Sequence, residues 1–233
     1  MAWSSEQPPR FYFSLRSPYS WLALHDLGTV YPDVAAAVQW RPFWEPDPVL
    51  AAELAGHGAE FPYSAMSRAK HLYILQDVKR LATARGLRPA WPIDREPVWE
   101  VPHLAYLLAD QCGRGREFVV SATKARWEAG RDICDPAVVA ELAAGVGVDP
   151  ALAQGAASEP ELRAEGLARL LDVCTDGVFG VPYFVSGRAR FWGIDRLAAF
   201  AEHVWARLPD PASPEPSLIT KADADDGHAG GCG

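Results

Sequence analysis

A serine at the start of a helix near the N-terminus is the first residue that could take part in chemistry. Ser17 and Pro18 follow an aromatic run at residues 11–15, and a serine followed by a proline is typical of a helix N-cap and first helical position. The amide groups at a helix N-terminus lack partners within the helix and lie at the positive end of its dipole, which lowers the pKa of a nearby thiol. Ser17 is therefore either a cap alone or a hydrogen-bond donor to a thiolate that a ligand supplies.

The cysteines and histidines favour neither a disulfide nor a metal. Cys112, Cys134, Cys174 and Cys232 show no C-x-x-C pair and no metal-ligand spacing. We expect no disulfide and four reduced thiols, which is typical of a cytoplasmic protein. Cys174 falls on an apolar helical stripe, where a structural thiol is expected. The six histidines lack paired ligand spacing, so no metal site is predicted.

A proline and an aspartate nearer the C-terminus are further candidates. Pro182 opens a predicted strand and is either an ordinary edge-strand proline or a cis proline. We predict a cis Val181–Pro182 bond, which would leave the Val181 backbone free to pair with an extended ligand. Asp195 precedes the last helix and is predicted to be its N-cap. Alternatively, its carboxylate holds the ammonium group of an amino-acid-like ligand, whose own carboxylate binds the helix amides.

The elements that must position these residues follow from hydrophobic periodicity and turn signals. Residues 11–15 and 38–43 are predicted strands, and a helix with one apolar face begins at Pro18 between them. A crossover of roughly twenty residues indicates that the two strands are parallel.

The pattern then turns helical for about 125 residues, from residue 46 to residue 174. Strands resume at 181–185 and 188–191, joined by a tight hairpin at Ser186-Gly187, and a last amphipathic helix follows.

This element order predicts an α/β protein with a thioredoxin-like fold, βαβ…ββα, that carries a large all-helical insertion. The predicted boundaries are an N-terminal extension at 1–9, a thioredoxin-like domain at 10–45 and 175–208, a helical insertion at 46–174, and a disordered acidic, Pro/Gly-rich tail at 209–233.

Composition narrows the class of protein. The chain has 233 residues, of which 49% are hydrophobic and 22% charged, as in a soluble globular enzyme or binding domain. A net charge of −8 argues against nucleic acid as a partner. No apolar run approaches the ~20 residues of a membrane span, and no secretory signal is visible. We therefore expect a cytoplasmic protein that does not bind membranes.

Three segments taken together resemble a known family. They are F-Y-F-x-x-x-S-P-Y-S from residue 11, G-V-F-G-V-P-x-F from residue 177 and F-W-G-x-D-R-L from residue 191. In this order they resemble the 2-hydroxychromene-2-carboxylate isomerases and the kappa-class glutathione transferases, in the DsbA-like branch of the thioredoxin superfamily. The resemblance covers about residues 10–208. Redox-active thioredoxin folds carry a cysteine where this chain has Ser17, so the chain is not expected to exchange disulfides.

The resemblance implies a bound thiol cofactor, glutathione, and a role for each matching residue. Ser17 would be the catalytic residue that contacts the sulfur. Val181, just before Pro182, would pair with the cysteinyl backbone of glutathione. Ile194 and Asp195 would hold its γ-glutamyl end.

The helical insertion contributes one further residue through the same resemblance. The run K-x-x-Y-x-x-x-D-x-x-R begins at Lys70, which would reach the glycine carboxylate of glutathione or else be a solvated lysine. The family commonly has an asparagine a few residues before this lysine, and this sequence has none. The cofactor is therefore glutathione or another low-molecular-weight thiol. Trp127 lies in a segment that resembles the family near its substrate pocket. The alternative is that Trp127 is a core residue.

The first functional hypothesis is a thiol-dependent cis-trans isomerase that acts on a small-molecule unsaturated carbonyl or chromene-type substrate. Its apolar pocket is expected between the insertion and the sheet, and family resemblance implies a homodimer. One alternative is a kappa-like glutathione S-transferase, which stops at the thiol adduct. Another is a non-catalytic thioredoxin-fold binding protein or partner subunit, in which Ser17 is only a cap.

Overall fold

A computed structural model describes residues 7–62 and 66–207 of the chain. The predicted acidic tail at 209–233 and residues 1–6 of the predicted N-terminal extension lie outside the described residues, as does Cys232.

Four short strands form one mixed sheet in the order β2-β1-β3-β4. The strands are β1 (Arg10–Phe13), β2 (Gln39–Pro42), β3 (Tyr183–Ser186) and β4 (Ala189–Trp192). β1 and β2 are parallel, which confirms the prediction from the crossover length, and β3 is antiparallel to both β1 and β4. Aromatic rings from β1 and β3 stack on one face of the sheet, where the ring centroids of Phe11 and Phe184 are 5.1 Å apart.

The predicted hairpin turn is wrong by one residue. Ser186 pairs with Ala189, so the turn consists of Gly187 and Arg188 rather than Ser186 and Gly187. Gly187 has a φ of +56°, a left-handed conformation that only glycine adopts at little cost. Strand pairing therefore continues through Ser186 before the chain reverses.

Ten helices account for most of the remaining described residues. They are α1 (Pro18–Thr29), α2 (Pro32–Ala37), α3 (Pro48–Gly56), α4 (Arg68–Ala84), α5 (Glu100–Gln111), α6 (Gly115–Trp127), α7 (Pro136–Gly145), α8 (Pro150–Gly155), α9 (Pro160–Thr175) and α10 (Leu197–Trp205). Four of them begin in the same way, with a residue whose side chain caps the helix N-terminus and a proline directly after it. The caps are Ser17, Asp47, Asp135 and Asp149. The fixed φ of proline suits the first helical position, and each cap accepts an otherwise unpaired amide N–H.

The core is continuous between the sheet and the helical insertion. One cluster of buried residues joins Phe11 and Phe184 of the sheet to Leu104 of α5, Leu170 of α9 and Phe200 of α10. Burying an aromatic or aliphatic side chain of this size stabilises the fold by about 1.5–3 kcal/mol. The insertion and the sheet therefore stabilise one another through shared apolar contacts.

The last helix begins differently from the prediction. Asp195 lies inside a 3-10 turn, Ile194–Arg196, that precedes α10, and the residue at the N-cap of α10 is Arg196. Neither Gly193, at the N-cap of the 3-10 turn, nor Arg196 makes a side-chain capping hydrogen bond. The assignment of Asp195 as the N-cap is thus wrong, because the intervening 3-10 turn moves the N-cap and the helix start one residue along the chain.

Candidate functional site

Ser17 occupies the N-cap of α1, as the sequence predicts. Its Oγ accepts a hydrogen bond from the Ser20 amide at 3.2 Å, and its carbonyl accepts one from the Trp21 amide at 3.1 Å. The side chain is half-buried. Since the cap uses a lone pair of the hydroxyl oxygen, the hydroxyl hydrogen stays available for an acceptor in front of the helix.

The first turn of α1 leaves one backbone donor in addition to this hydroxyl. Pro18 has no N–H, and the Ser20 and Trp21 amides are bonded to Ser17. Within the described residues, the Tyr19 amide has no backbone partner outside the helix. The Ser17 hydroxyl and the Tyr19 amide therefore form a pair of donors at the positive end of the helix dipole, an arrangement that favours an anion such as a thiolate.

Two side chains of the insertion hold the turn that precedes Ser17. The Leu15 amide donates to Nε2 of His103 at 3.2 Å, and the Leu15 carbonyl accepts from the indole Nε1 of Trp127 at 3.2 Å. Both side chains are buried, on α5 and α6 respectively. The backbone two residues before Ser17 is thus bonded on both sides by the insertion, which restricts how Ser17 can move.

These contacts require His103 to be neutral. Since Nε2 accepts from the Leu15 amide, the ring proton must lie on Nδ1, which donates to the Trp99 carbonyl at 2.7 Å. Trp44 stacks on the ring at 5.3 Å. Complete burial, together with a smaller effect of the nearby positive charge of Arg126, lowers the pKa of His103 to about 3. His103 is therefore a positioning residue that keeps its neutral form throughout the physiological pH range.

Aromatic rings and a buried arginine surround this turn. Trp127 stacks on Trp21 of α1 at 6.3 Å and meets Trp91 edge-on at 5.6 Å. Arg126 is 2% exposed, donates to both carboxylate oxygens of Asp94 at 2.8 and 2.9 Å, and lies over the Trp127 ring at 5.0 Å. Trp127 therefore belongs to the core and to the lining of the site at once.

The predicted cis-proline segment reaches the same end of β1. The Val181–Pro182 bond is cis, as predicted. Tyr12 pairs with Tyr183 in the β1–β3 ladder, and continuing this antiparallel register places Pro182 opposite Phe13 and Val181 beyond it, near the turn that leads to Ser17. Outside the ladder, no backbone hydrogen bond within the described part of the chain involves Val181. Its backbone groups therefore remain free for a ligand.

Ile194 and Asp195 are connected to this segment. The Gly193 amide donates to the Pro182 carbonyl at 3.0 Å. Ile194 packs against the apolar cluster that includes Trp21, so the 3-10 turn lies beside α1. The Asp195 side chain is 69% exposed and pairs with Arg196 at 3.4 Å. The structure thus brings the third predicted segment to the first two but leaves the Asp195 carboxylate facing solvent.

Two contacts define how α4 lies against α1. The Tyr19 hydroxyl donates to Asp77 at 2.8 Å, and Arg85 donates to both carboxylate oxygens of Asp26 at 2.6 and 2.8 Å. The paired positions advance together along both helices, so α1 and α4 run side by side in the same direction. Because Tyr19 is at the start of α1 and Asp77 is near the middle of α4, α4 extends about 10 Å past the N-terminus of α1 at 1.5 Å per residue.

The part of α4 that extends past α1, residues 68–75, is here called the overhang. Lys70 lies on the overhang, two helical turns before Asp77 and on the same flank, and its side chain is exposed. Ser67 caps the helix by accepting from the Lys70 amide at 3.2 Å. Lys70 therefore lies on an exposed face of α4, in the part of that helix that precedes its contact with Tyr19.

An apolar cavity lies on the other flank of α4. It has a volume of about 590 Å³ and is lined by His71, Leu75, Gln76, Lys79, Trp91 and Pro92. All of these residues belong to the insertion, so this cavity does not lie between the insertion and the sheet, where the substrate pocket was expected. Trp91 connects the cavity to the site, because its ring contacts Trp127.

Three of the four cysteines lie in the described part of the chain. Cys112, Cys134 and Cys174 are free thiols, and burial raises the pKa of Cys134 to about 12. The Cys174 thiol is half-buried and donates to the Glu60 carbonyl at 3.4 Å. In residues 7–62 and 66–207, no three His, Cys, Asp or Glu side chains are grouped to hold a metal ion. No helix of that part is long and apolar enough to cross a bilayer.

Sequence reasoning missed His103, which had appeared only as one of six histidines without ligand spacing. Its partner Leu15 is 88 residues away along the chain, so no local pattern could connect the two. For Trp127, the resemblance had indicated a position near the substrate pocket, and the structure adds its hydrogen bond to Leu15.

Comparisons with known proteins agree with this architecture. The family model of the DSBA-like thioredoxin domain matches residues 10–204. The solved structure of 2-hydroxychromene-2-carboxylate isomerase is similar with a TM-score of 0.68 at 22% identity, over 86% of this chain and 95% of that one. A probable DsbA oxidoreductase from Streptomyces coelicolor gives a TM-score of 0.63 at 20% identity, over 96% and 99% of the two chains.

A third similar structure is the cytosolic disulfide reductase DsbM from Pseudomonas aeruginosa with GSH, with a TM-score of 0.57 at 18% identity, over 85% of this chain and 98% of that one. A search by sequence among curated proteins gave no match. The family match and the structural likenesses confirm the predicted fold class, a DsbA-like thioredoxin fold with a large helical insertion.

Proposed function

Since the chain belongs to the DsbA-like thioredoxin domain family, we propose that it binds a low-molecular-weight thiol in front of Ser17 and acts as a thiol-dependent cis-trans isomerase. The observation that carries the proposal is the donor pair at the start of α1. Neither the Ser17 hydroxyl nor the Tyr19 amide donates to an acceptor among the described residues, and Ser17 stands where redox-active thioredoxin folds carry a cysteine, so this chain can stabilise a thiolate without supplying one.

The residues around this pair match the parts of a glutathione-like ligand. The free backbone groups of Val181 suit the cysteinyl backbone, and Asp195 on its exposed turn suits an ammonium group. Lys70 on the overhang suits a terminal carboxylate. The structure of DsbM with GSH indicates that a relative with this fold accommodates this thiol. Glutathione is therefore the first ligand to test.

The proposed chemistry needs little from the protein beyond position and charge. A bound thiolate supplies the nucleophile for reversible addition to a C=C bond conjugated with a carbonyl, which permits rotation before elimination. The Ser17 hydroxyl and the helix dipole keep the sulfur ionised. His103 and Trp127 hold the turn that carries Ser17, and the apolar cavity beside α4 suits an unsaturated small molecule.

Substitution of Ser17 by alanine separates a catalytic role from a capping role. A hydrogen bond to a charged partner is worth about 1.5–3 kcal/mol, so we expect Ser17→Ala to raise the pKa of bound glutathione by about one to two pH units. Turnover of 2-hydroxychromene-2-carboxylate should fall roughly ten- to a hundredfold. Thiol affinity, measured by calorimetry, should change only modestly.

The matched control is Asp135→Ala, which removes the cap of α7. Asp135 accepts from the Ala137 amide at 2.9 Å, and loss of such a cap costs about 1 kcal/mol of stability. Both variants should lower the melting temperature, but only Ser17→Ala should change turnover per folded molecule. Unchanged turnover in Ser17→Ala would reject the proposal. Stoichiometric consumption of glutathione would indicate the transferase reaction instead.

A further inference from the structure

Three aromatic rings, those of Phe179, Tyr183 and Trp192, form a cluster beside the Val181–Pro182 segment. The Phe179 ring lies edge-on to Trp192 of β4, with 4.9 Å between the ring centroids, and edge-on to Tyr183 of β3, with 5.5 Å. Tyr183 and Trp192 are directly opposite one another in the β3–β4 ladder, so their side chains share one face of the sheet. Phe179 therefore packs over a cross-strand aromatic pair.

This aromatic cluster restrains the backbone on both sides of Val181. Phe179 lies two residues before Val181, and Tyr183 lies two residues after it. Contact between the two rings therefore limits how the intervening backbone can bend. One backbone hydrogen bond adds to this restraint, because the Gly193 amide donates to the Pro182 carbonyl at 3.0 Å. The backbone groups of Val181 are thus held in place by the residues that flank them.

Gly180, directly before Val181, allows the Trp192 indole to pack on the backbone itself. A Cβ atom at Gly180 would lie 3.1 Å from Nε1 of Trp192, which is closer than the usual van der Waals contact. Phe179 and Trp192 are nevertheless each 54% exposed, so neither ring is part of the buried core. The contacts of the Trp192 indole therefore serve mainly to hold residues 179–180.

We infer that Trp192 is a positioning residue for a peptide-like thiol. Its indole holds Gly180, and thereby keeps the backbone groups of Val181 where the cysteinyl backbone of such a ligand pairs with them. The inference rests on the proposed function, because it requires a thiol that pairs with Val181. It divides the site into two parts, since Ser17 acts on the sulfur whereas Trp192 acts on the recognition of the ligand backbone.

Calorimetric titration with two ligands tests the inference. One ligand is glutathione, and the other is glutathione methylated on its cysteinyl amide nitrogen, which has no hydrogen to donate from that atom. A net hydrogen bond corresponds to about a two- to tenfold change in affinity, so the wild-type chain should prefer glutathione by that factor. In Trp192→Ala this preference should fall to about one, whereas Trp192→Phe, which keeps a ring beside Gly180, should retain most of it.

A second variant keeps every aromatic ring. Gly180→Ala places a methyl group against the indole and should also reduce the preference, so the test stands even if Trp192→Ala fails to fold. The matched control is Trp205→Ala, which removes another partly exposed tryptophan from the end of α10. It should leave both affinities unchanged. The pKa of bound glutathione should stay at its wild-type value in Trp192→Ala, because Ser17 is intact.

The outcomes separate this inference from the proposed function. If the wild-type chain fails to bind glutathione, the proposed function is overturned and the inference with it. If the wild-type chain binds glutathione but Trp192→Ala and Gly180→Ala keep the full preference for it over the methylated analogue, only the inference is overturned. Equal binding of the two ligands by the wild-type chain, or a raised pKa of glutathione bound to Trp192→Ala, would also overturn the inference alone.

Discussion

The two sides of the space in front of α1 are built in opposite ways. On one side, the turn before Ser17 is held by buried hydrogen bonds from His103 and Trp127 to Leu15. On the other side, Lys70 and Asp195 project into solvent from the overhang and from the 3-10 turn. The buried contacts would fix the position of the sulfur of a bound thiol. Exposed, flexible side chains would bind the charged ends of that ligand. Exposed ion pairs are individually worth about 0–1 kcal/mol.

The largest loss of stability should come from substituting the buried residues that hold the turn before Ser17. We expect Trp127→Leu to lower the free energy of unfolding by about 3–4 kcal/mol, because it removes the indole hydrogen bond and the packing against Trp21 and Trp91. Trp127→Phe keeps a ring and loses mainly the bond to Leu15, so it should cost about 1–2 kcal/mol. Denaturant unfolding measures both values. Equal losses would contradict the division between packing and hydrogen bonding.

A second effect should appear as a pH dependence of stability. The pKa of His103 is about 3 in the folded chain and near 6.5 in an unfolded one, so between these values the unfolded chain binds more protons. The free energy of unfolding should therefore fall as the pH drops below about 6.5, by up to about 1.4 kcal/mol per pH unit, or about 2 kcal/mol at pH 5.

His103→Gln is the control for this pH dependence. Its amide oxygen can still accept from the Leu15 amide, but it does not titrate. The stability advantage of the wild-type chain over this variant should shrink as the pH falls from 7 to 5, as measured by denaturant unfolding. Parallel pH profiles for the two proteins would contradict the assignment of a buried neutral His103.

The smallest effects, on glutathione binding, should come from substituting the exposed residues Lys70 and Asp195. Lys70→Met and Asp195→Asn should each weaken glutathione binding about two- to tenfold, less so at high salt, because exposed charges are screened. Neither should change the melting temperature appreciably. Lys124→Met, which removes an exposed lysine from α6, is the control and should leave binding unchanged. A large loss of stability in Lys70→Met would show that this lysine is structural rather than ligand-binding.

Local patterns in the sequence were sufficient to predict the secondary-structure elements and part of the candidate functional site. The aromatic run at 11–15 and the Ser17-Pro18 pair act over a few residues, and the structure places a strand and a capped helix there. The cis bond at Pro182 was also predicted from a short motif. Boundaries were less exact, since the β3–β4 turn and the start of α10 depend on how the strands pair and on the 3-10 turn at Ile194–Arg196.

The sequence by itself determined which residues can donate to a thiolate, because capping and helix polarity are local properties of the chain. Only the tertiary structure decided what holds them. His103 and Trp127 reach Leu15 across 88 and 112 residues. Such contacts arise from the packing of distant elements, and hydrophobic periodicity specifies which face of an element is buried but not which partner it meets.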